Sequence, residues 1–150
     1  EAYYAYVANK AKRAIKTFNI QFRRGMTEYD RAKFGDEPAT HIHHIFPAAD
    51  FPAISFYFEN LIALTPTQHL NYAHPVGTTT AINRKYQHLL ILAKIASIKK
   101  NLSSKTEDII YDFHKLLHVL HIGLSDELFK NIADKNYDAV IHQVNLAYNS

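Results

Sequence analysis

Residues 61–68 read LIALTPTQ, and this run narrows the architecture more than any other stretch of the chain. Four apolar residues bounded by a turn signal predict a short strand buried on both faces. Thr65, Pro66, Thr67 and Gln68 then form a capping box with proline at the first helical position. The Thr65 hydroxyl can accept from the third helical N–H, and the Gln68 amide can reach back to the cap. Pro66 loses nothing there, because its missing N–H would have had no partner inside the helix. A strand must therefore pass into a helix within one residue. Pro75 predicts that this helix, over residues 68–73, stops just before it.

Upstream, residues 40–46 alternate as THIHHIF and predict a second short strand, ended by Pro47. Residues 48–59 between the strands are aromatic-rich, carry Pro52 and read as a loop. The flanks change period. Residues 2–19 mix apolar and basic positions without a breaker and predict a helix, followed by a connector from Gly25 to Pro38. Residues 79–101 predict a long amphipathic helix through Ile82, Tyr86, Leu89, Leu90, Ala93 and Ile98. Ser104-Lys105-Thr106-Glu107 is a second capping box, expected to open a helix reaching about His121. Ser125-Asp126-Glu127 starts a further short helix, and residues 138–148 predict the last. The expectation is a mainly α fold with a small β hairpin. It forms one domain over 1–150: a basic helical segment at 1–38, the strand-loop-strand-helix element at 39–75, and helical support at 78–150.

A chain of 150 residues has room for one hydrophobic core. It contains no cysteine, which excludes disulfides and thiolate metal sites, so any metal must be held by nitrogen or oxygen. No apolar run approaches a membrane span and no secretory signal is visible, so a cytoplasmic, bacterial setting is expected. The chain opens at Glu1 rather than Met and reads as a trimmed chain or a piece of a longer one. The net charge of +3 conceals a division. Residues 1–106 carry 14 Lys/Arg against 7 Asp/Glu, whereas 107–150 carry 3 against 7. Residues 2–27 and 60–106 contain no acid. Such segregation aims one surface at a polyanion, with a solvated basic face as the plainer alternative.

Ten histidines are grouped: His41, His43 and His44; His69 and His74; His114, His118 and His121; with His88 and His142 apart. His43-His44-Ile45-Phe46-Pro47, then Asn60-Leu61-Ile62-Ala63-Leu64, then His69 early in a helix, resembles the HNH (His-Me finger, ββα-metal) nuclease motif. The resemblance covers about residues 40–75. Residues 58–75 are similar, more narrowly, to HNH-type restriction endonucleases. It implies His44 as general base, and His43 and His69 as ligands of one Mg²⁺, for which Mn²⁺ or another divalent ion can substitute. It implies that Asn60 pins the 48–59 loop so that His44 is oriented. Products would carry 5′-phosphate and 3′-hydroxyl ends.

The chemistry agrees with that assignment. A neutral imidazole titrates close to working pH and suits proton abstraction from water, while a divalent ion stabilises charge developing on a phosphate. Alternation leaves one question open, because adjacent strand residues point to opposite faces. His41 and His43 share a face and could be the metal pair instead. Otherwise His41 serves as an outer contact to the ligands or to phosphate. His74 lies about 140° from His69 on an ideal helix and is read as a phosphate contact or a cap.

His114, His118 and His121 form one helical stripe that could bind zinc. Ile109, Ile110, Phe113, Leu116, Leu117 and Leu120 draw the core face there, so these imidazoles are read as boundary residues. Lys10, Lys12, Arg13, Lys16, Arg23, Arg24, Arg84 and Lys85 are the candidate DNA contacts. Tyr3, Tyr4 and Tyr6 are read as packing residues. The expected function is a metal-dependent endonuclease cutting double-stranded DNA, of the type II restriction class, working as a homodimer if its sites are palindromic. A sequence-nonspecific toxin or defence nuclease of the same fold, a DNA-binding domain with an inactive site, and a helical metal sensor are the alternatives.

Overall fold

The capping box closes in both directions in the computed structural model, which describes residues 2–70 and 83–149. Gln68 N–H donates to Thr65 Oγ1 at 3.1 Å, and Thr65 N–H donates to Gln68 Oε1 at 3.0 Å. The Gln68 amide also donates to the Tyr29 carbonyl at 2.6 Å, anchoring the box to the chain behind it. The helical turn it opens is α3 (Pro66–Gln68). The expected continuation over 71–73, and His74, lie outside the described residues.

Strands β1 (His41–His44) and β2 (Leu61–Leu64) pair antiparallel, with His41 opposite Leu64 and His44 opposite Leu61. All four β2 residues are fully buried, as a run without polar alternation demands. The link between the strands is not featureless: Pro52–Ile54 and Phe58–Asn60 each form a turn of 3₁₀ helix.

Helix α1 (Ala2–Arg23) runs a turn beyond its expected end and stops where Arg24 and Gly25 both take positive φ. It buries Ala8, Ala11, Ile15 and Phe18, one stripe at helical spacing. Tyr4 continues that stripe and stacks on Phe56, with ring centroids 6.0 Å apart. Tyr3 and Tyr6 lie off it and are 70% and 61% exposed, so the packing role expected of them fails for geometric reasons. A short helix, α2 (Arg31–Phe34), interrupts the expected connector and buries Phe34.

Helix α4 (Arg84–Leu102) opens at Asn83, which is extended and caps it, its side chain accepting from Lys85 N–H; the expected stretch over 79–82 lies outside the described residues. The second capping box does not open a helix. Ser104 Oγ accepts from Glu107 N–H at 3.1 Å as a cap would, yet helix α5 (Phe113–Leu124) begins only after Asp112. Phe113, Leu116, Leu117, Val119 and Leu120 form its buried face, with His114 and His118 exposed. A 3₁₀ turn (Glu127–Asn131) capped by Asp126 and helix α6 (Tyr137–Tyr148) complete the chain. One apolar cluster takes side chains from α1, both strands, α4, α5 and α6. The architecture is mainly helical around a two-stranded hairpin. No helix among the described residues is long and apolar enough to cross a membrane.

Candidate functional site

Strand β1 keeps its alternation to the end, and this decides how the histidines divide. His41 and His43 face His69, which directly follows α3 and donates its backbone N–H to the Thr65 carbonyl at 2.9 Å. The box thus sets the position of His69 as well as the start of the helix. The His69 ring lies 4.9 Å from that of His41 and 5.0 Å from that of His43, centroid to centroid. His41 Nδ1 and His69 Nδ1 are 2.8 Å apart, a hydrogen bond in which one ring supplies the proton. His43 is 4% exposed and His41 is open to solvent.

His44 takes the other face. Its Nε2 lies 2.8 Å from the Ser55 carbonyl oxygen. A carbonyl can only accept, so Nε2 carries the proton and Nδ1 keeps the ring's basic lone pair. Burial, and next the charge of Lys12, push the imidazole down to about 4, so it is neutral near pH 7 but a weaker base than the imidazole titrating near working pH that the sequence predicts.

Asn60 makes this arrangement rigid. Its Oδ1 accepts from Phe46 N–H at 2.8 Å, and its Nδ2 donates to the carbonyls of Phe46 at 3.1 Å and Ile54 at 3.2 Å. Ile45 N–H donates to the Asn60 carbonyl at 2.9 Å, continuing the strand pairing past His44. The loop is thereby held at both ends: beside His44, and next to Ser55, whose carbonyl orients the ring. Asn60 is fully buried, so it positions other groups and touches no solvent.

The donor set bears on which metal could be held. Three imidazoles line the His69 side of the strand, with the Glu37 carboxylate nearby on Thr67, and among the described residues no three acidic, histidine or cysteine side chains stand ready as a chelate. The two Nδ1 atoms 2.8 Å apart share a proton in this hydrogen bond, and that proton must leave before both lone pairs could face one ion. With that proton gone, His69 with one strand histidine suits a two-point hold. Imidazole donors suit transition-series ions better than Mg²⁺, which prefers oxygen.

The candidate phosphate contacts separate into groups. Lys10, Arg13, Lys16 and Arg24 are exposed on or just after α1, and Lys85 on α4. Arg23 is otherwise engaged, making two 2.7 Å bonds to Glu107 beneath solvent. The Arg84 guanidinium donates to the Ala147 carbonyl at 2.9 Å and lies over the Tyr148 ring. Arg23 thus ties α1 to the segment between α4 and α5, and Arg84 ties α4 to α6. Arg84 stays exposed while making this bond, whereas Arg23 is mostly covered.

The histidine stripe on α5 does not converge either. His114 lies 3.8 Å from Asp134, whereas His118 packs against Tyr57, and the His118 and His121 rings are 6.3 Å apart. One feature escaped the reading of the sequence: Ser55 acts through its backbone, which no side-chain pattern reveals. Lys12, expected only as a DNA contact, is half-buried and its charge acts on His44. In comparisons with protein-family models, curated proteins and solved structures, the chain matches none of them.

Proposed function

We propose that the chain is a metal-dependent endonuclease hydrolysing DNA phosphodiester bonds, with residues 39–75 as an HNH-type ββα-metal element. The observation that carries the reading is the state of His44: neutral, its Nε2–H spent on the Ser55 carbonyl, its Nδ1 left as a base. His44 takes a proton from the attacking water, and the Ser55 carbonyl steadies the imidazolium that results. Asn60 keeps loop and ring in register through that transfer, as a positioning residue. A divalent cation held by His69 with His43 or His41 supplies charge stabilisation at the phosphate when bound.

His44 and His69 lie on opposite faces of β1, so one phosphate reaches both only across the strand edge that β2 does not occupy. Lys10, Arg13 and Lys16 along α1 offer phosphate contacts that set position without reading bases. Type II restriction is the finer form of this proposal, and sequencing of the cut ends tests it. Fixed ends support it, and random ends favour a nonspecific nuclease.

The proposal is tested by incubating supercoiled plasmid with the protein and Mg²⁺ or Mn²⁺, with EDTA as control. Cleavage is expected with metal only and is faster with Mn²⁺. His44→Ala is expected to lower the rate at least 100-fold while duplex binding stays within about threefold. Wild-type protein that leaves the plasmid intact with either ion would overturn the reading.

A further inference from the structure

Between the loop that Asn60 holds and the start of α5 lies a cleft of about 180 Å³, lined by Phe56, Tyr57, Phe58, Glu59, Ile110 and Lys115. Its aromatic wall begins one residue after Ser55, whose carbonyl orients His44. The cleft thus adjoins the candidate base along the chain and shares none of its groups. Its volume lies below the range of drug-sized sites and admits one flat ring system.

Both charged side chains in the lining have bonds left to make. Glu59 is 2% exposed, and its Oε2 accepts from Asp112 N–H at 2.9 Å. Its Oε1 is buried and makes no hydrogen bond. An ionised carboxylate has room for about four donors, so an enclosed oxygen without one is unfavourable until a donor arrives. Burial raises the Glu59 pKa, and the N–H groups of Asp112 and Glu59 and the charges of Lys115 and Lys94 oppose that rise. Lys115 is exposed and makes no ion pair among the described residues, with Glu59 or any other acid. Exposed side chains change rotamer within nanoseconds, so Lys115 can uncover the carboxylate without disturbing the fold.

An acceptor, a donor and aromatic side chains around so small a space suit a flat group that carries an N–H beside a C=O. A simple cation is repelled by Lys115, and a simple anion by Glu59. Among the DNA bases guanine and thymine carry this lactam edge, whereas adenine and cytosine set an amino group beside a bare ring nitrogen. We propose that the cleft is a base subsite, in which Glu59 Oε1 accepts from the lactam N–H, Lys115 donates to the adjoining C=O, and the aromatic side chains pack on the ring. Such a base has left its stack, so it comes from a single-stranded or frayed stretch. The inference rests on the nuclease reading for the choice of a nucleobase over other lactams, and its binding test needs no cleavage.

The test is an amide-proton NMR titration of the full chain in EDTA with dGMP, dTMP, dAMP and dCMP. dGMP and dTMP are expected to shift the amides of Glu59 and Asp112 and to bind at least fivefold more tightly than dAMP and dCMP. The tighter of the two names the source: guanine brings a second N–H to the same carboxylate, thymine a methyl to the aromatic wall. Glu59→Gln keeps an acceptor for Asp112 N–H but turns its amide N–H towards the ligand's own. The preference is then expected to vanish, with the thermal melt within a few degrees of wild type. Lys115→Met keeps the stem and removes the donor, and is expected to weaken dGMP and dTMP at least threefold and dAMP less. Equal binding of all four nucleotides, no shift at Glu59 or Asp112, a preference that survives Glu59→Gln, or an equal loss for all four in Lys115→Met overturns the subsite. The nuclease reading fails separately: the expected preference without metal-dependent cleavage leaves the subsite and removes the nuclease, and cleavage without the preference does the reverse.

Discussion

At the scale of single residues, the site depends most on a side chain that performs no chemistry. Asn60 spends its whole amide on three backbone groups, all of them enclosed. Asn60→Ala would leave Phe46 N–H and two carbonyls without partners, at about 1–3 kcal/mol each before relaxation. With partial relaxation the expected loss of stability is about 3 kcal/mol, read as a lower urea midpoint with an unchanged slope. The loop would also loosen at Ser55, so His44 would lose its fixed tilt. Under conditions where the variant stays folded, turnover should fall at least tenfold while duplex affinity holds. A variant as stable and as active as wild type would remove Asn60 from this role. His69→Ala tests the other half of the site by Mn²⁺ titration calorimetry. Affinity should drop at least tenfold, and His41→Ala should show a smaller drop if His43 completes the hold.

At the scale of elements, the two capping boxes show what can be read locally. Thr65–Gln68 formed because both partners of each bond lie within four residues, and the distant groups that reach Gln68, the Thr27 hydroxyl and the Tyr29 carbonyl, add to the box without breaking its bonds. Ser104–Glu107 has the same local chemistry and made no helix. Glu107 is drawn away by Arg23, with both carboxylate oxygens taken, and by Asn101 Nδ2 at 2.9 Å. The fully buried Asn101 then accepts from Ile110 and Tyr111 N–H and donates to the Asp108 carbonyl, supplying bonds a helix would have made. Arg23 is 84 residues from Glu107, so no window of sequence contains the pair. The strand-to-helix passage, the buried faces of α1 and α5, and the placement of His69 behind the capping box were legible because periodicity and local caps express them. The division of His41, His43 and His44 between faces needed the strand's exact end, and Lys12 needed the register of α1 against it. Arg23→Gln tests the competition. The bidentate bond holds Glu107 below the usual carboxylate range, so its contribution is fully present above about pH 4.5 and is lost as pH falls through the folded value. At pH 7 the variant should be less stable by about 2 kcal/mol. As pH falls below the folded Glu107 value the two proteins should converge in thermal melts, and a gap constant with pH would mean that packing, not charge, sets the loss.

At the scale of the whole molecule, one buried charge joins the parts that carry the site. Lys94, in the middle of α4, is 1% exposed, and its ammonium is 2.7 Å from Glu28 and 2.6 Å from the Tyr111 hydroxyl. Glu28 also accepts from Ala63 N–H at 2.7 Å and donates its own N–H to the Ala63 carbonyl at 3.0 Å. Ala63 sits opposite Ile42, between His41 and His43 on the paired strand. The node therefore ties α4, the chain after α1 and the approach to α5 to the strand directly behind the histidines. Burial lowers the Lys94 pKa and Glu28 opposes that shift, so each charge is tolerable only with the other present. Lys94→Met should cost about 3–5 kcal/mol, because Glu28 is left charged and enclosed. Lys94→Met with Glu28→Gln removes both charges and should recover at least half of that loss, since the neutral amide can still accept from Ala63 N–H. The double-mutant cycle in urea then reads the coupling directly. Losses that simply add would mean that the pair stabilises through packing alone. In the recovered double variant β2 keeps its register behind β1, so Mn²⁺ affinity at the histidines should return to within about threefold of wild type. A folded double variant that still fails to bind the ion would show that the charges themselves, through the field they set behind the strand, govern the site.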